Sequence, residues 1–257
     1  MKKLSGIFIV VMALASIARS QPATMPTTKP APEPTDAAAI KLGRDGQPDK
    51  QFLKMHQSFL DRGKSGPIGV LFIGDSITNG WFWNRNNLNN KEIWDGHFGK
   101  YDPANFGIGG DRTAHVLWRI ENGELDGIHP KVVVLMIGTN NIGYSAEEIT
   151  KGDEKIVQEI HEKLPDTKLL LLGIFPRGAD PNKPNVADMR EKIKTINAAL
   201  AKLDDGNKTR YLDIGDKFLS GDGSISSDIM PDALHPNYAG YLIWANAMQP
   251  LLDEMMK

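Results

Sequence analysis

A serine, an aspartate and a histidine in this chain have the spacing that a hydrolase triad can have. Ser76 lies in a Gly-Asp-Ser-Ile tetrapeptide, and Asp232 precedes His235 by three residues. A carboxylate at that spacing can hold the histidine Nδ1–H, which leaves Nε2 free to take a proton from a serine hydroxyl. The chain order Ser, Asp, His is one that serine hydrolases use. These residues therefore predict attack of Ser76 on an ester carbonyl, a reaction that needs no cofactor.

Two polar turns could complete such a site, although each also has an ordinary structural interpretation. The glycines of residues 107–110 would let backbone N–H groups approach a substrate, and Asn140 could add its side-chain amide. The N–H groups of Ser76 and Gly110 and the amide of Asn140 would then form an oxyanion hole. Alternatively, Asp75 and Ser76 could cap a helix, the glycines could form a flexible turn, and Asn140 an Asx turn.

Short β-rich runs alternate with amphipathic stretches, and the candidate catalytic residues follow predicted strands. Strands are predicted at residues 68–73, 103–106, 131–137, 168–174 and 209–214. Helices are predicted at 48–62, 111–122, 146–163, 187–203 and 237–256. Such alternation predicts an α/β fold with a five-stranded parallel sheet between helices, which binds ligands at the carboxyl ends of its strands. The coincidence of several polar blocks at those ends favours the catalytic interpretation.

Three other side chains are candidates for substrate contact. Trp81 and Trp83 come shortly after Ser76, and their rings could line an acyl pocket or stack on a sugar. Packing in the core explains two tryptophans equally well. Arg177 follows the fourth predicted strand and could reach a substrate oxygen, or it could be an ordinary surface arginine.

Composition limits the classes of function. The chain has 257 residues, of which 40% are hydrophobic, so it can bury one sizeable core, and one catalytic domain is the simplest organisation. A net charge of −2 shows no basic excess, which argues against a nucleic-acid partner. The absence of cysteine excludes disulfides, thiolate metal sites and a cysteine nucleophile. No metal is implied, because the sequence also lacks a His-Glu-x-x-His motif.

The N-terminus has the pattern of a secretory signal peptide. Lys2 and Lys3 precede an apolar run at residues 4–18, with small residues around a cleavage site after Ser20. This run is shorter than the ~20 residues that span a bilayer, so no stable membrane span is expected once it is removed. A proline-rich stretch at 21–47 predicts a disordered linker before the catalytic domain at 48–257. We therefore expect a secreted or periplasmic protein.

The candidate blocks also carry a family resemblance. They resemble, in order, the four signature blocks of the SGNH (GDSL) hydrolase superfamily: residues 74–77, 107–110 and 138–140, then Asp232 with His235. Further segments are similar to the catalytic subunits of intracellular platelet-activating-factor acetylhydrolase, namely residues 105–111, 116–119, 121–125 and 176–178. The resemblance extends over roughly residues 50 to 255.

This resemblance implies a role for each matched residue. Ser76 would be the nucleophile, Gly110 and Asn140 would donate to the oxyanion beside the Ser76 N–H, and Asp232 and His235 would activate the serine. It also implies a flavodoxin-like three-layer α/β/α sandwich, and a dimer is one assembly that it allows.

The substrate does not follow from the resemblance alone. The eukaryotic subunits are cytosolic, whereas this chain carries a predicted export signal. Secreted bacterial members of the superfamily commonly remove acetyl groups from polysaccharides, so a small-molecule or polysaccharide ester, above all an O-acetylated carbohydrate, is the expected substrate. The alternatives are a lysophospholipase or thioesterase, a platelet-activating-factor-like acetylhydrolase, and a non-catalytic carbohydrate-binding envelope protein.

Overall fold

The computed structural model of the protein describes residues 33–85 and 88–257. The predicted signal peptide at 1–20 and the first part of the predicted linker lie outside these residues. Within them, the compact unit runs from Glu33 to Lys257.

The described chain alternates strands and helices. The strands are β1 (Val70–Gly74), β2 (Asn84–Arg85), β3 (Leu88–Asn89), β4 (Pro103–Gly107), β5 (Val132–Met136), β6 (Lys168–Leu172) and β7 (Thr209–Leu212). The helices are α1 (Lys50–Lys64), α2 (Ser76–Asn79), α3 (Asn90–Phe98), α4 (Thr113–Arg119), α5 (Ala146–Lys163), α6 (Pro184–Leu200) and α7 (Tyr238–Met255). Short 3-10 turns follow several of them, and β2 and β3 pair as a small antiparallel ribbon.

Five strands form one parallel sheet in the order β4-β1-β5-β6-β7. Renumbered along the sheet-forming strands, this is the 2-1-3-4-5 order of flavodoxin-like folds. Strands β1 and β5 are buried throughout, as the interior strands of a covered parallel sheet must be. The predicted α/β fold with five parallel strands is therefore confirmed.

Helices cover both faces of the sheet. On one face, apolar side chains of α1, α4, α5 and α6 pack on alternate strand residues such as Leu71, Ile73 and Val133. On the other face, α3 and α7 pack on the intervening residues, such as Val70, Phe72 and Val134. This is the three-layer sandwich that the resemblance implied.

Helices α3 and α4 differ from the sequence prediction, and the β2–β3 ribbon was not predicted either. Helix α3 was not predicted, because it follows an asparagine-rich stretch and has only a short apolar stripe of Ile93, Trp94 and Phe98. The helix predicted at 111–122 ends at Arg119 and continues as an irregular turn in which Gly123 has a φ of +93°.

The segment at residues 33–49, here called the N-terminal strap, packs on the folded domain. Thr113 Oγ1 donates to the Thr35 carbonyl at 2.6 Å, and Ala39 N–H donates to the Ala114 carbonyl at 3.0 Å. Thr35 is itself buried. The expectation of a linker extending to residue 47 is therefore wrong for the part that the structure describes, because hydrogen bonds to α4 order a segment whose composition offers little apolar surface.

Asp153 on α5 is a carboxyl group buried without a partner. Neither of its oxygens has a hydrogen-bond partner among the described residues. Burial, together with the charge of neighbouring Glu154, raises the pKa of Asp153 well above its usual range. The native state therefore keeps a proton that the unfolded chain loses above about pH 4. As the pH rises beyond that value, this group lowers the free energy of unfolding.

We expect Asp153→Asn to remove this pH dependence. The gain in unfolding free energy over the parent should be larger at pH 8 than at pH 5, growing by up to about 1.4 kcal/mol per pH unit while the native carboxyl stays protonated. Urea unfolding at both pH values measures it. The matched control is Asp166→Asn, in the exposed turn after α5. A gain of equal size at both pH values would show that Asp153 does not retain its proton.

Candidate active site

Ser76, His235 and Asp232 meet at the carboxyl edge of the sheet. The Ser76 Oγ lies 2.9 Å from His235 Nε2, and His235 Nδ1 lies 2.6 Å from Asp232 Oδ2. These distances are those of a relay in which the carboxylate holds the imidazole and the imidazole accepts the serine proton. The structure thus brings together the three residues that the sequence singled out.

Ser76 is the first residue of α2 and is separated from the end of β1 by Asp75 alone. Asp75 caps this helix, because its Oδ1 accepts the N–H of Ile77 at 2.8 Å. A side chain at Gly74 would place its Cβ 2.4 Å from the Met136 carbonyl oxygen, so only glycine allows the strand to pass so close to β5 before the turn. The N–H groups of the first helical turn have no acceptor within the helix, which leaves the N–H of Ser76 available to an anion.

Asp232 organises the loop that carries His235. Its Oδ1 accepts the N–H of Leu234 at 3.1 Å and that of His235 at 2.7 Å, while Oδ2 binds the imidazole. Ala233 adopts a left-handed φ of +55° so that the chain can close this turn. Partial burial raises the pKa of Asp232, but hydrogen bonds from His235 outweigh it and leave the pKa below the usual value. The carboxylate is therefore charged at neutral pH.

Residues 107–111, here called the glycine loop, pass over Ser76. A Cβ built on Gly109 would lie 3.9 Å from the Ser76 Cβ. Gly110 has a φ of +76°, which an L side chain rarely adopts, and both glycines are exposed. The N–H of Gly110 forms no hydrogen bond within the part of the chain that the structure describes. It is therefore available to a substrate oxygen.

Asn140, in the loop after β5, contacts the glycine loop. Its Nδ2 donates to the Asp111 carbonyl at 2.9 Å and lies 3.3 Å from the Asp75 Oδ2. The amide thus joins the loop after β5 both to the glycine loop and to the residue before Ser76. Burial raises the pKa of Asp75 to about 7, while the hydrogen bond from Ile77 opposes that shift. The sequence indicated the cap formed by Asp75 but not its contact with Asn140.

Arg177 and Asn141 anchor the loop that carries Asn140. The Arg177 Nη1 donates to the Thr139 carbonyl at 2.9 Å and lies 3.2 Å from its hydroxyl. Asn141 accepts the Thr113 N–H at 3.1 Å and donates to its Oγ1 at 3.2 Å, which ties the loop to α4. Arg177 is partly exposed, so contact with a substrate stays a prediction, but the contacts shown are those of a residue that holds Thr139.

The two candidate tryptophans have different positions. The Trp83 ring is tilted against the His235 imidazole, with centroids 5.3 Å apart, and its Nε1 donates to Asn79 Oδ1 at 3.2 Å. Trp81 is 0% exposed and packs among Phe72, Phe98, Tyr241 and Trp244. The assignment of Trp81 to substrate contact is therefore wrong, because the core interpretation accounts for all of its surface.

Two kinds of feature are absent from the described residues. In residues 33–85 and 88–257, no group of three or more His, Cys, Asp or Glu side chains is arranged to hold a metal ion. Among the helices of the same residues, none is long and apolar enough to cross a bilayer.

We expect Asn140→Ala to lower kcat for an aryl acetate by about 10²–10³ with a smaller change in KM. The reason is that an oxyanion donor strengthens its hydrogen bond as charge develops on the substrate oxygen. Steady-state kinetics measure the effect, and the unfolding temperature reports the lost bond to Asp111. Asn207→Ala, in an exposed turn, is the control. A change confined to KM would make Asn140 a ground-state binding residue instead.

Known proteins are similar to this chain in sequence and in fold. A model of the GDSL-like Lipase/Acylhydrolase family matches residues 72–243. Platelet-activating factor acetylhydrolase IB subunit alpha1 of Bos taurus is 38% identical over 228 residues, which cover 88% of this chain and 90% of that subunit.

Solved structures agree in fold at lower identity. A GDSL-like lipase from Bacteroides thetaiotaomicron superposes with a TM-score of 0.60 at 20% identity, covering 77% of this chain and 97% of that one. An acetylxylan esterase from Geobacillus stearothermophilus gives a TM-score of 0.53 at 18% identity, covering 74% and 95%.

The family match covers most of the chain from β1 to α7, and it includes Ser76, the glycine loop, Asn140 and His235. The alignment with the subunit that is 38% identical covers nearly all of both proteins. Sequence, fold and the arrangement at the carboxyl edge of the sheet agree, and the chain is a carboxylic ester hydrolase that belongs to the GDSL-like lipase/acylhydrolase family.

Proposed function

We propose that the protein is a secreted serine esterase that removes acetyl groups from O-acetylated carbohydrate. Ser76 is the nucleophile, His235 the general base and acid, and Asp232 the residue that fixes the imidazole. The N–H groups of Ser76 and Gly110 hold the oxyanion, and the amide of Asn140 joins them by exchanging its 3.3 Å contact with Asp75 Oδ2 for the substrate oxygen.

The reaction has two acyl-transfer steps. The Ser76 Oγ bonds to the acetyl carbonyl carbon as its proton passes to His235 Nε2. The tetrahedral intermediate collapses, the bond to the sugar oxygen breaks, and that oxygen leaves with the proton from His235. Water then attacks the acetyl-enzyme and gives a proton to His235. The bond to Ser76 breaks, the serine regains its proton, and acetate is released.

The observation that carries the carbohydrate proposal is the open, aromatic surroundings of His235. Side chains of Asp232 and His235 are 51% and 20% exposed, and Ser76 is also partly exposed. A polymer chain can therefore approach the site from solvent. Trp83 is partly exposed and lies against the imidazole, whereas its chain neighbour Phe82 is 46% exposed and packs on Trp94. A partly exposed ring such as that of Trp83 can stack on a sugar face.

Packing beneath the nucleophile favours a small acyl group. A small cavity lined by Asp75 and Ile77, the chain neighbours of Ser76, together with Thr139 and Phe175, is too small for a water molecule. A long acyl chain could not enter this cavity, whereas an acetyl group needs little room. A solved structure of the same fold belongs to an acetylxylan esterase, and the activity of that enzyme is consistent with the proposal.

A second candidate substrate is an acetylated phospholipid. It is favoured by the 38% identity to a subunit of platelet-activating factor acetylhydrolase, which extends over 88% of the chain. Both candidates involve release of acetate by the same residues, so they differ only in the group that carries the acetyl ester.

The test compares three substrate series on purified protein. These are p-nitrophenyl esters from acetate to octanoate, acetylated xylan and xylo-oligosaccharides, and a phospholipid with an acetyl ester at the second glycerol carbon. We expect activity to fall steeply before octanoate and acetate to be released from the glycans. Trp83→Ala should raise KM for the polymer more than for p-nitrophenyl acetate. Preference for octanoate, or for the phospholipid over every glycan, would refute the carbohydrate proposal.

Export is tested separately. Expression of the full chain in a bacterial host should yield a processed protein outside the cytoplasm that begins at Gln21. N-terminal mass spectrometry of the periplasmic and culture-medium fractions reads this directly. An unprocessed chain confined to the cytoplasm would contradict secretion without affecting the esterase proposal.

A further inference from the structure

The N-terminal strap reaches the candidate active site through one side chain. Lys41 extends its ammonium group to the glycine loop, where Nζ donates to the carbonyl of Gly109 and lies 3.3 Å from the Asp111 Oδ1. The Lys41 side chain is only 17% exposed. A Cβ built on Gly110 would lie 3.1 Å from the same Nζ. The cation is therefore packed directly against the Gly109–Gly110 peptide.

The contact with the Gly109 carbonyl determines where the next N–H points. The carbonyl of Gly109 and the N–H of Gly110 belong to one planar peptide unit, in which the C=O and N–H bonds of a trans peptide point in opposite directions. A cation that holds the oxygen on one side therefore aims the N–H to the other side. Within the residues that the structure describes, no other group donates a hydrogen bond to the Gly109 carbonyl.

A positive charge on the carbonyl oxygen also changes the peptide itself. Hydrogen bonding to an ammonium polarises the amide, which makes its N–H a stronger donor. Glycine on both sides leaves this peptide free to rotate, so without an external contact its orientation would be poorly fixed. Lys41 supplies such a contact from outside the family match, which begins at residue 72.

We propose that Lys41 is a positioning residue for ester hydrolysis, which orients and polarises the Gly109–Gly110 peptide so that the Gly110 N–H is aimed at the developing oxyanion. The inference rests on the proposed role of Gly110 in the oxyanion hole. Lys41 acts through the peptide and does not itself touch the substrate.

The surroundings of Lys41 keep it in place. Asp111 holds the ammonium from one side, and its other oxygen, Oδ2, lies 3.1 Å from the Nε of the buried Arg119. On the strap, the carbonyl of Lys41 accepts the N–H of Asp49 at 2.8 Å, and Ala39 is bonded to α4. The strap therefore holds the Lys41 side chain in a fixed position against the glycine loop. The buried carboxylate of Asp111 balances the positive charge of the lysine.

The experiment compares Lys41→Met, Lys41→Arg and the control Lys54→Met, which changes an exposed lysine of α1. For p-nitrophenyl acetate we expect Lys41→Met to lower kcat about tenfold or more, since small misplacements of catalytic groups have effects of this size. KM should change less than threefold. Inhibition by a boronic acid that mimics the tetrahedral intermediate should weaken by the same factor as kcat. Lys41→Arg, which keeps a charged donor, should recover most of the loss.

A direct measurement accompanies the kinetics. The amide proton resonance of Gly110, assigned in ¹⁵N-labelled protein, should shift upfield in Lys41→Met and stay unchanged in Lys54→Met, because removal of the cation depolarises the peptide. The unfolding temperature of each variant shows whether the fold is intact, and the resonance still reports on the peptide if Lys41→Met is less stable.

Each outcome decides one question. An unchanged kcat and an unchanged Gly110 resonance in Lys41→Met would overturn the positioning role. A loss of kcat that Lys41→Arg does not recover, with no change in the Gly110 resonance, would also overturn it, since that pattern indicates a merely structural lysine. If the parent protein hydrolyses no ester, the proposed function itself is refuted. If the parent is active and the Lys41 variants have the parent kcat, only the positioning role of Lys41 is refuted.

Discussion

Ser76→Ala should lower kcat toward p-nitrophenyl acetate by about 10⁴-fold or more without unfolding the protein. The hydroxyl lies 2.9 Å from His235 Nε2 and is the atom that would form the acyl-enzyme, so its loss removes the nucleophile itself. The fold should tolerate the change, because Ser76 is partly exposed at the start of α2 and the cap of that helix comes from Asp75.

A matched control is available on α1. Ser58 is exposed, and its hydroxyl donates to the Met55 carbonyl, so Ser58→Ala removes a serine hydroxyl outside the candidate site and should leave kcat unchanged. Labelling with a fluorophosphonate probe should be lost in Ser76→Ala and kept in Ser58→Ala. Turnover or labelling of Ser76→Ala at the parent level would mean that another nucleophile performs the reaction.

The sheet and the position of the candidate site were predictable because their signals are local. An apolar strand followed by Gly74 and Ser76, or by Gly138 and Asn140, marks the carboxyl end of a strand, and all such ends meet at one edge of a parallel sheet. Helix α5 was predicted at residues 146–163 and occupies Ala146–Lys163. Its start is determined by a capping box in which Ser145 and Glu148 exchange hydrogen bonds, a signal confined to four residues.

What sequence could not show depends on contacts between distant segments. Trp81 and Trp83 are tryptophans two residues apart. Trp81 is buried against Trp244 of α7, whereas Trp83 packs on His235. The packing of α7 decides between them, and no pattern near residue 81 reports it. The strap was interpreted as a linker for the same reason, since hydrogen-bond partners such as Thr113 and Ala114 on α4 lie about 75 residues further along the chain.

The left-handed conformation of Ala233 was equally hidden. Alanine gives no local indication of a φ of +55°, and the turn forms because Asp232 accepts two backbone N–H groups while it binds His235. Strain at a non-glycine residue costs of order 1–3 kcal/mol and persists only where surrounding contacts determine the conformation. The carboxylate that orients the imidazole is thus also the group that shapes its loop.

This double role makes Asp232→Asn a selective test of the relay. The amide oxygen of the substituted side chain can still accept the N–H groups of Leu234 and His235, so the loop should keep its shape. Its NH₂ group would face His235 Nδ1 in place of Oδ2, and an NH₂ donor favours the tautomer with the proton on Nε2. That imidazole cannot accept the Ser76 proton. We therefore expect kcat to fall by about 10⁴-fold while the unfolding temperature changes little.

The low pKa of Asp232 sets the pH range of this effect. Because hydrogen bonds from His235 hold the pKa of Asp232 below its usual value of about 4, the carboxylate stays charged in the parent protein above about pH 5, and its protonation should not reduce the ratio of parent to variant kcat there. Asp228→Asn, an exposed residue of the same loop, is the control and should leave kcat unchanged. Retention of a tenth or more of the parent kcat in Asp232→Asn, with the loop intact, would show that the imidazole does not depend on this carboxylate for its tautomer, and the relay would reduce to Ser76 and His235 alone.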